Sequence, residues 1–443
     1  MVSGGIALFF LLLAVLAIIV LTAKYKMNAF VVLIGVAFLY GIAIGMPLKD
    51  VVAHVRTGFG NTLGYIGIVI VAGTIMGYIL EKTGAALSMT QAILKLVGRD
   101  RSALAMSIAG YVVSIPVFCD SGYVILTPLN KALAKETKTS MAVMAVALST
   151  GLYATHTMVP PTPGPIAAAG ALKADLGLVI IMGLIAAIPA MIAGYIWAKS
   201  VAKKYWIEAD IEVSYEELIK QQGKLPNTFM SFMPLVVPIL LILLKSVADF
   251  PTKPFGKGGF AAFVSFIGDP VTALMIGVIL SLFLVPKESL KTAYHDWMGH
   301  GIRDAAIILV ITGAGGSFGR ILQQSPMVEF IKTNLSGMHL GMLMPFIIAA
   351  ALKTAQGSST VAIITTSAIM APLLSTLGLN PALTVIAIGA GSMVVSHAND
   401  SYFWVVSQFS NMEVSVAYKI YTSATLVEGI VGIIMVLIMS IFV

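Results

Sequence analysis

Apolar runs about 20 residues long, the length that carries a helix across ~30 Å of hydrocarbon at ~1.5 Å per residue, alternate along this chain with short polar segments. Uninterrupted runs over residues 4–22, 28–45, 61–80, 176–198, 229–244, 271–285, 305–322 and 422–443 predict transmembrane helices. Two longer runs, 141–171 and 381–408, carry polar residues in their middles and predict broken helices. The runs 103–134 and 341–374 are apolar at both ends and interrupted at the centre. The interruption is Cys119, Asp120, Ser121 and Gly122 in one, and Gln356, Gly357, Ser358, Ser359 and Thr360 in the other. Each reads as two half-length helices meeting at a tip, a re-entrant hairpin, which a bilayer tolerates only where the exposed backbone is buried in protein or lines a cavity. Residues 4–21 have no basic segment before them and no small-residue cleavage site after them, so this run is expected to remain as a first transmembrane helix. The pattern predicts an all-α polytopic membrane protein with ten crossings and two re-entrant hairpins, one opening to each side.

Composition agrees and excludes much else. Only 11% of the residues are charged and 58% are apolar, with a mean hydropathy of +0.96, against about 25% and 45–50% in soluble domains. A water-soluble enzyme, a nucleic-acid binder and a disordered chain are ruled out. The single cysteine, Cys119, forbids an intrachain disulfide and argues against a cysteine-rich metal site, so no metal is expected. The net charge of +7 fits a lipid environment, because cytoplasmic loops carry excess Lys and Arg. If the loop with Lys24 and Lys26 is cytoplasmic, the loops 24–27, 81–101, 131–139, 199–228, 286–303 and 410–420 hold 18 of the 27 basic residues, and both termini are expected outside.

An internal repeat changes the picture. Residues 73–80 resemble 315–322 at an offset of 242, Thr155 and His156 fall against Ser396 and His397 at 241, and the hairpin residues Ser121 and Ser358 are 237 apart. Each unit holds three crossings and a hairpin, and two crossings lie between the units, so the second starts on the opposite side of the membrane. This predicts N-terminal scaffold helices over 1–57 and a first inverted repeat over 58–200. A cytoplasmic linker with two connecting helices follows over 201–303, and a second repeat over 304–443. Inverted repeats with broken helices can open one central site alternately to each face. Their half-helix N-termini attract anions, so a small anion is the expected cargo.

The tips and breaks then supply the expected site. Asp120, Ser121 and Gly122 face Gln356, Gly357, Ser358, Ser359 and Thr360 across it. The first break contributes Thr155, His156, Thr157 and Thr162, and its second arm is expected to start at Pro165. The second break contributes His397, Asn399, Asp400 and Ser401. A carboxylate at membrane depth is costly and reads as functional, although Asp120 or Ser121 as a helix N-cap is the structural alternative. Asp120 and Asp400, both ionised in one cavity, would repel an anion, and protonation removes that penalty. Anion and proton would bind cooperatively, which is symport by linkage. The histidines His156 and His397 are the other candidate proton carriers.

The strings IPVFCDSG at 115–122, ATHTMVPPTPGP at 154–165 and SHANDS at 396–401 resemble the gluconate permease family of the ion transporter superfamily. The resemblance runs over essentially the whole chain. It implies a multi-pass protein of the bacterial inner membrane that moves a small organic acid anion with protons by alternating access. It further implies a scaffold and a mobile transport domain, with homodimerisation through the scaffold. Gluconate, idonate, D-serine and hydroxybutyrate carriers look alike on this basis. A sodium-coupled carboxylate carrier would share the fold, with tip hydroxyls and free carbonyls holding Na⁺. An intramembrane enzyme using Cys119 with a histidine base is the different-class rival, but no hydrolase signature surrounds Cys119. No cofactor is expected beyond the coupling ion.

Four further expectations concern structure. Lys245 and Lys353 are read as snorkelling near helix ends, and Glu428 as pairing within the scaffold. The pairs Gly73 with Gly77 and Gly315 with Gly319 should permit close helix packing. The mixed-charge segment 199–224 reads as a solvated linker.

Overall fold

The computed structural model describes residues 1–221, 224–249, 254–334, 341–398 and 400–442, and no strand occurs among them. In chain order the helices are α1 (Gly4–Ile19), α2 (Ala29–Ala43), α3 (Leu48–Lys82), α4 (Ala85–Val97), α5 (Ser102–Val113), α6 (Cys119–Glu136), α7 (Met141–Met158), α8 (Pro163–Leu172), α9 (Leu176–Ser200) and α10 (Tyr215–Gln221). They continue as α11 (Thr228–Ala248), α12 (Gly259–Ile267), α13 (Pro270–Leu282), α14 (Met298–Gln323), α15 (Met327–Asn334), α16 (Leu343–Gln356), α17 (Ser359–Met370), α18 (Pro381–Gly391), α19 (Ser401–Phe409) and α20 (Ser423–Met439). Among the described residues, seven helices are long and apolar enough to cross a membrane, and α12 with α13, bent by 61°, makes an eighth span. Apolar side chains stand on the outside: Leu12 of α1 is 63% exposed and Phe266 of α12 65%. In water that would be a liability; in hydrocarbon it is the expected outer surface.

Every residue of α7 is buried, which places the first broken helix at the centre. Against lipid such burial stabilises through close packing rather than through the hydrophobic effect, so small residues decide who touches whom. A Cβ on Gly151 of α7 would lie 2.0 Å from the Ser107 carbonyl of α5, and one on Gly391 of α18 would lie 2.3 Å from the Phe346 carbonyl of α16. These are the same contact in the two repeats. The first hairpin closes where Ser102, opening α5, meets Thr137, just past α6, with their hydroxyls 3.2 Å apart.

The first helix of each repeat, α3 and α14, cross antiparallel with almost nothing between them. A Cβ on Gly58 would lie 2.4 Å from the Gly316 carbonyl, and one on Gly316 would lie 2.0 Å from Thr62 Oγ1. Ser317 Oγ donates to the Val55 carbonyl at 2.9 Å across the same crossing. The two glycine pairs behave as expected: Gly73 and Gly77 pack on Pro161 and Pro116 of the first repeat, Gly315 and Gly319 on Ile364 and Ala368 of the second.

Several boundaries differ from the sequence expectations. Helix α3 runs 35 residues without a break, and a helical run of 37 residues spans Lys287–Gln323, so the divisions drawn at residues 57 and 303 fall inside continuous helices. The segment 81–101, read as loop, contains α4, which buries Ala85, Ala86, Met89, Ile93 and Leu94 on one side while Leu96 is 88% exposed. At 13 residues it is too short to register as a span. The second arm of the first break starts at Pro163, after a cis Pro160–Pro161 bond, and not at Pro165. Proline at the first helical position lacks only an N–H that would be unsatisfied anyway.

The linker is docked rather than loose. Ser140 Oγ donates to the Tyr205 carbonyl at 2.8 Å, Met141 N donates to the Ile207 carbonyl at 2.9 Å, and Lys135 Nζ donates to the Ile211 carbonyl at 2.8 Å. Tyr215 is buried under Arg99, whose guanidinium lies 4.4 Å from the ring centre. Its mixed charge conceals backbone groups that pair with the α6–α7 turn.

Candidate functional site

A cavity of about 520 Å³ opens between the hairpin tips and α14. One side is built from Phe118 to Ser121 of the first tip, Ser358 to Val361 of the second, Asp400 to Tyr402 of the second break, and Tyr153 and His156 of α7. The other side is α14, presenting Arg303, Asp304, Ile307, Ile308 and Ile311.

Three helices begin in this wall: α6 at Cys119, α17 at Ser359 and α19 at Ser401. The first-turn N–H groups of a helix have no intrahelical acceptor, and each N-terminus favours a negative charge by ~0.3–1 kcal/mol, more where partly buried. Their convergence makes an anion the natural occupant. The hydroxyls of Ser121, Ser358, Ser359, Thr360 and Ser401 stand among these N-termini.

Two carboxylates differ sharply here. Asp400 is fully engaged: Oδ1 accepts from Tyr402 N at 3.1 Å as the N-cap of α19, and Oδ2 accepts from Lys353 Nζ and Ser396 Oγ, each at 2.5 Å. Asp120 is not an N-cap, because Phe118 holds that position without a capping bond, and Asp120 Oδ1 is buried with no hydrogen-bond partner. The ion pair neutralises Asp400 and leaves two cavity carboxylates without a cation among the described residues, the buried Asp120 and the exposed Asp304.

Lys353 corrects an expectation. It does not snorkel: the side chain is 0% exposed, and its ammonium is shared between Asp400 and the Gly357 carbonyl. It also lies 5.8 Å from the Tyr153 ring centre. An ammonium near the tip of a re-entrant hairpin cannot reach the headgroups, so it must be paired where it is. Lys353 thereby ties the second hairpin to the second break. Lys245 lies nearer the surface, paired with Asp269 at 3.1 Å. Glu428 is fully buried with both oxygens unpartnered, so the expected scaffold pairing is not found among the described residues.

The expected site residues separate into two groups. Asp120, Ser121, His156, Ser358, Ser359, Thr360, Asp400 and Ser401 are brought together on the cavity wall. His156 is 6% exposed, nearly parallel to Tyr153 with ring centres 6.5 Å apart, and its Nδ1 has no partner. Thr155, Thr157 and Thr162 lie behind the wall, because their hydroxyls donate to the carbonyls of Tyr111 (2.9 Å), Tyr153 (3.3 Å) and Val159 (2.6 Å). These bonds to carbonyls of α5, α7 and the break hold the three hydroxyls away from a ligand. Gly122 packs under Leu152, and Gly357 gives its carbonyl to Lys353. The Gln356 side-chain amide is buried off the wall. His397 bonds the Thr354 carbonyl through Nε2 at 2.8 Å, outside the cavity. Asn399 lies outside the described residues. Cys119 lines the wall, but no hydrogen bond joins it to a histidine among the described residues.

Tyr153, Tyr402, Lys353 and Arg303 were not anticipated. Lys353 was detectable as a charge within an apolar hairpin, three residues from its polar tip; the two tyrosines carried no pattern distinguishing them from core residues.

Half-crossing hairpins, broken helices and helix N-termini turned on one cavity define a multi-pass membrane permease, not an enzyme. The chain belongs to the GntP family permeases, whose family model matches residues 6–442. It is 32% identical over 442 residues to a gluconate permease of Pseudomonas aeruginosa, covering 97% of this chain and 96% of that one. It is also 32% identical to the D-serine transporter DsdX of Escherichia coli, covering 95% of each. Among solved structures, the YdaH transporter of Alcanivorax borkumensis superposes with a TM-score of 0.68 at 14% identity, over 93% of this chain and 98% of that one, a likeness of fold.

Proposed function

We propose that this permease is a secondary active transporter that imports a small hydroxylated organic acid, gluconate-like, by proton symport and alternating access across the bacterial cytoplasmic membrane. The observation that carries the reading is the meeting of three helix N-termini and five hydroxyls around a buried carboxylate that has no ion pair among the described residues and one oxygen without a partner, Asp120 Oδ1. The N-termini suit a carboxylate ligand and the hydroxyls suit a polyol chain. An ionised Asp120 opposes the anion, so the proton that neutralises it travels with the substrate. Because Asp400 is already paired with Lys353, it is the weaker candidate for this role, and His156, on the same wall, is the second.

The names of two relatives divide the substrate question. An amino acid would present an ammonium to an ionised Asp120, whereas a sugar acid requires Asp120 protonated. Uptake of radiolabelled gluconate into proteoliposomes under an inward proton gradient tests the reading, with and without Na⁺ and with D-serine and 3-hydroxybutyrate as competitors. Accumulation that collapses with a protonophore and ignores Na⁺ is expected. Dependence on Na⁺ would replace the coupling ion, and no accumulation under any gradient would remove the assignment. Asp120→Asn is expected to exchange gluconate but no longer concentrate it. Full pH-dependent accumulation by that variant would transfer the proton to another group.

A further inference from the structure

We propose that Arg303 is a specificity-determining residue: a carboxylate-recognising guanidinium on the α14 wall that engages the substrate from one side of the membrane only. The inference rests on the transport reading above.

The cavity wall holds one basic side chain with a permanent charge, Arg303; Lys353 lies behind the wall and is tied to Asp400 and the Gly357 carbonyl. Arg303 is exposed and makes no hydrogen bond or ion pair with a described residue, and this includes its neighbour Asp304, which is also exposed on the wall. Gly301, two residues before Arg303, packs against the backbone of Ile75, which lies seven residues inside the end of α3 at Lys82. At ~1.5 Å per residue this sets the level about 10 Å in from the helix end. Its place on the cavity wall, with no protein partner among the described residues, leaves its donors open to a ligand in that space.

Chemistry and position agree. A guanidinium presents paired donors that match a carboxylate in a fork, while the opposite wall supplies hydroxyls and helix N-termini for the remainder of the molecule. Arg303 sits on α14, whose glycine crossing with α3 makes a stiff pair, and not on the tips. At the repeat offset of 242 its counterpart on α3 is Asn61, a neutral amide. The two inverted walls are therefore unequal. A ligand entering past α14 meets an unpaired cation, whereas the space beside α3 offers only Lys245, which is paired with Asp269.

The test uses full-length protein in proteoliposomes, with substrate presented separately to each face. Arg303→Gln is expected to raise the gluconate KM about ten- to hundredfold on the face where α14 opens, with little change on the other. Arg303→Lys should recover part of the loss. Equal KM changes on both faces, or none, would overturn the assignment. A second measurement needs no variant: phenylglyoxal modification of Arg303 in the wild-type protein, read by mass spectrometry. Gluconate should slow it and the neutral gluconamide should not. Protection by D-serine or 3-hydroxybutyrate where gluconate gives none would keep Arg303 in its role and sink the sugar-acid reading instead. Protection by none of the three acids would overturn the role itself.

Discussion

The faces of α3 and α14 are built from the same repeat in opposite orientation, yet they stand in different states. On α14, Ile307, Ile308 and Ile311 line the open cavity of about 520 Å³. Their counterparts at offset 242 are Tyr65, Ile66 and Val69 of α3, and these three line a second space of about 220 Å³. There α8 has closed in, so that a Cβ on Gly170 would lie 2.4 Å from Ile66 Cγ2. Around its rim, Ser246 of α11 donates to Asp175 at 2.8 Å and Lys245 pairs with Asp269 at 3.1 Å. The inverted twins thus face spaces of unequal size, although Ile307 and Tyr65 are about equally exposed, at 64% and 63%, and the transport proposed above would exchange the two arrangements.

The largest effect should come from freezing that asymmetry. The near contact of Gly170 with Ile66 places their β-carbons close to the ~3.8 Å that a disulfide spans. Ile66→Cys with Gly170→Cys, in a Cys119→Ala background, should lose transport on oxidation and regain it on reduction. An oxidised protein that still accumulates substrate would show that the α3 face is not the second door.

The repeats also differ in chemistry. The Lys353–Asp400 pair has no counterpart, since the offsets of 237 and 241 lead to Pro116 and Val159. Removing one partner of a buried pair costs about 3–5 kcal/mol, whereas replacing both with neutral groups is often nearly neutral. Lys353→Met should therefore lower the melting temperature in detergent strongly, and Lys353→Met combined with Asp400→Asn should recover much of it. A single variant as stable as wild type would mean that Lys353 finds water after all.

Much of this is legible in the pattern of residues, and the parts that are not share a cause. Both hairpins and both breaks stand out because polar residues in the middle of an apolar run are too costly in hydrocarbon to sit there without a cavity or a packed protein interior around them. The tips Asp120–Ser121 and Ser358–Thr360 do reach one wall. Lys353 defeats the pattern because a lysine near a helix end usually snorkels, although the end of a hairpin arm lies at membrane depth and not at the headgroups. Arg303 lies at the margin of an apolar run that begins earlier as a helix than its hydropathy suggests, within Lys287–Gln323. Thr155, Thr157 and Thr162 illustrate a different limit. A one-dimensional pattern places a hydroxyl at a break but does not say whether it faces the cavity or a freed carbonyl, and here all three face carbonyls.

The smallest expected effect concerns what holds the α3 side shut. The Asp175–Ser246 bond joins the start of α9, just after the second arm of the first break, to α11. Lys245–Asp269 joins α11 to the start of α13, with both side chains partly exposed at 28% and 44%. An exposed pair of this kind is worth ~0–1 kcal/mol. The hydrogen bond contributes about 1 kcal/mol, and it alone bridges to the repeat that carries the break. Ser246→Ala should then shift the balance between the two states by up to about fivefold without unfolding the protein, because Asp175 keeps its cap on Leu178 N at 2.8 Å. The shift should appear as faster labelling of an Ile66→Cys reporter by a membrane-impermeant maleimide, with slower labelling of an Ile307→Cys reporter in a parallel protein. Lys245→Met should move both rates less, since its pair lies within one group of helices. If Lys245→Met moved them more than Ser246→Ala, the closure would rest on the α11–α13 pair, and the hinge of the α3 door would have to be sought there.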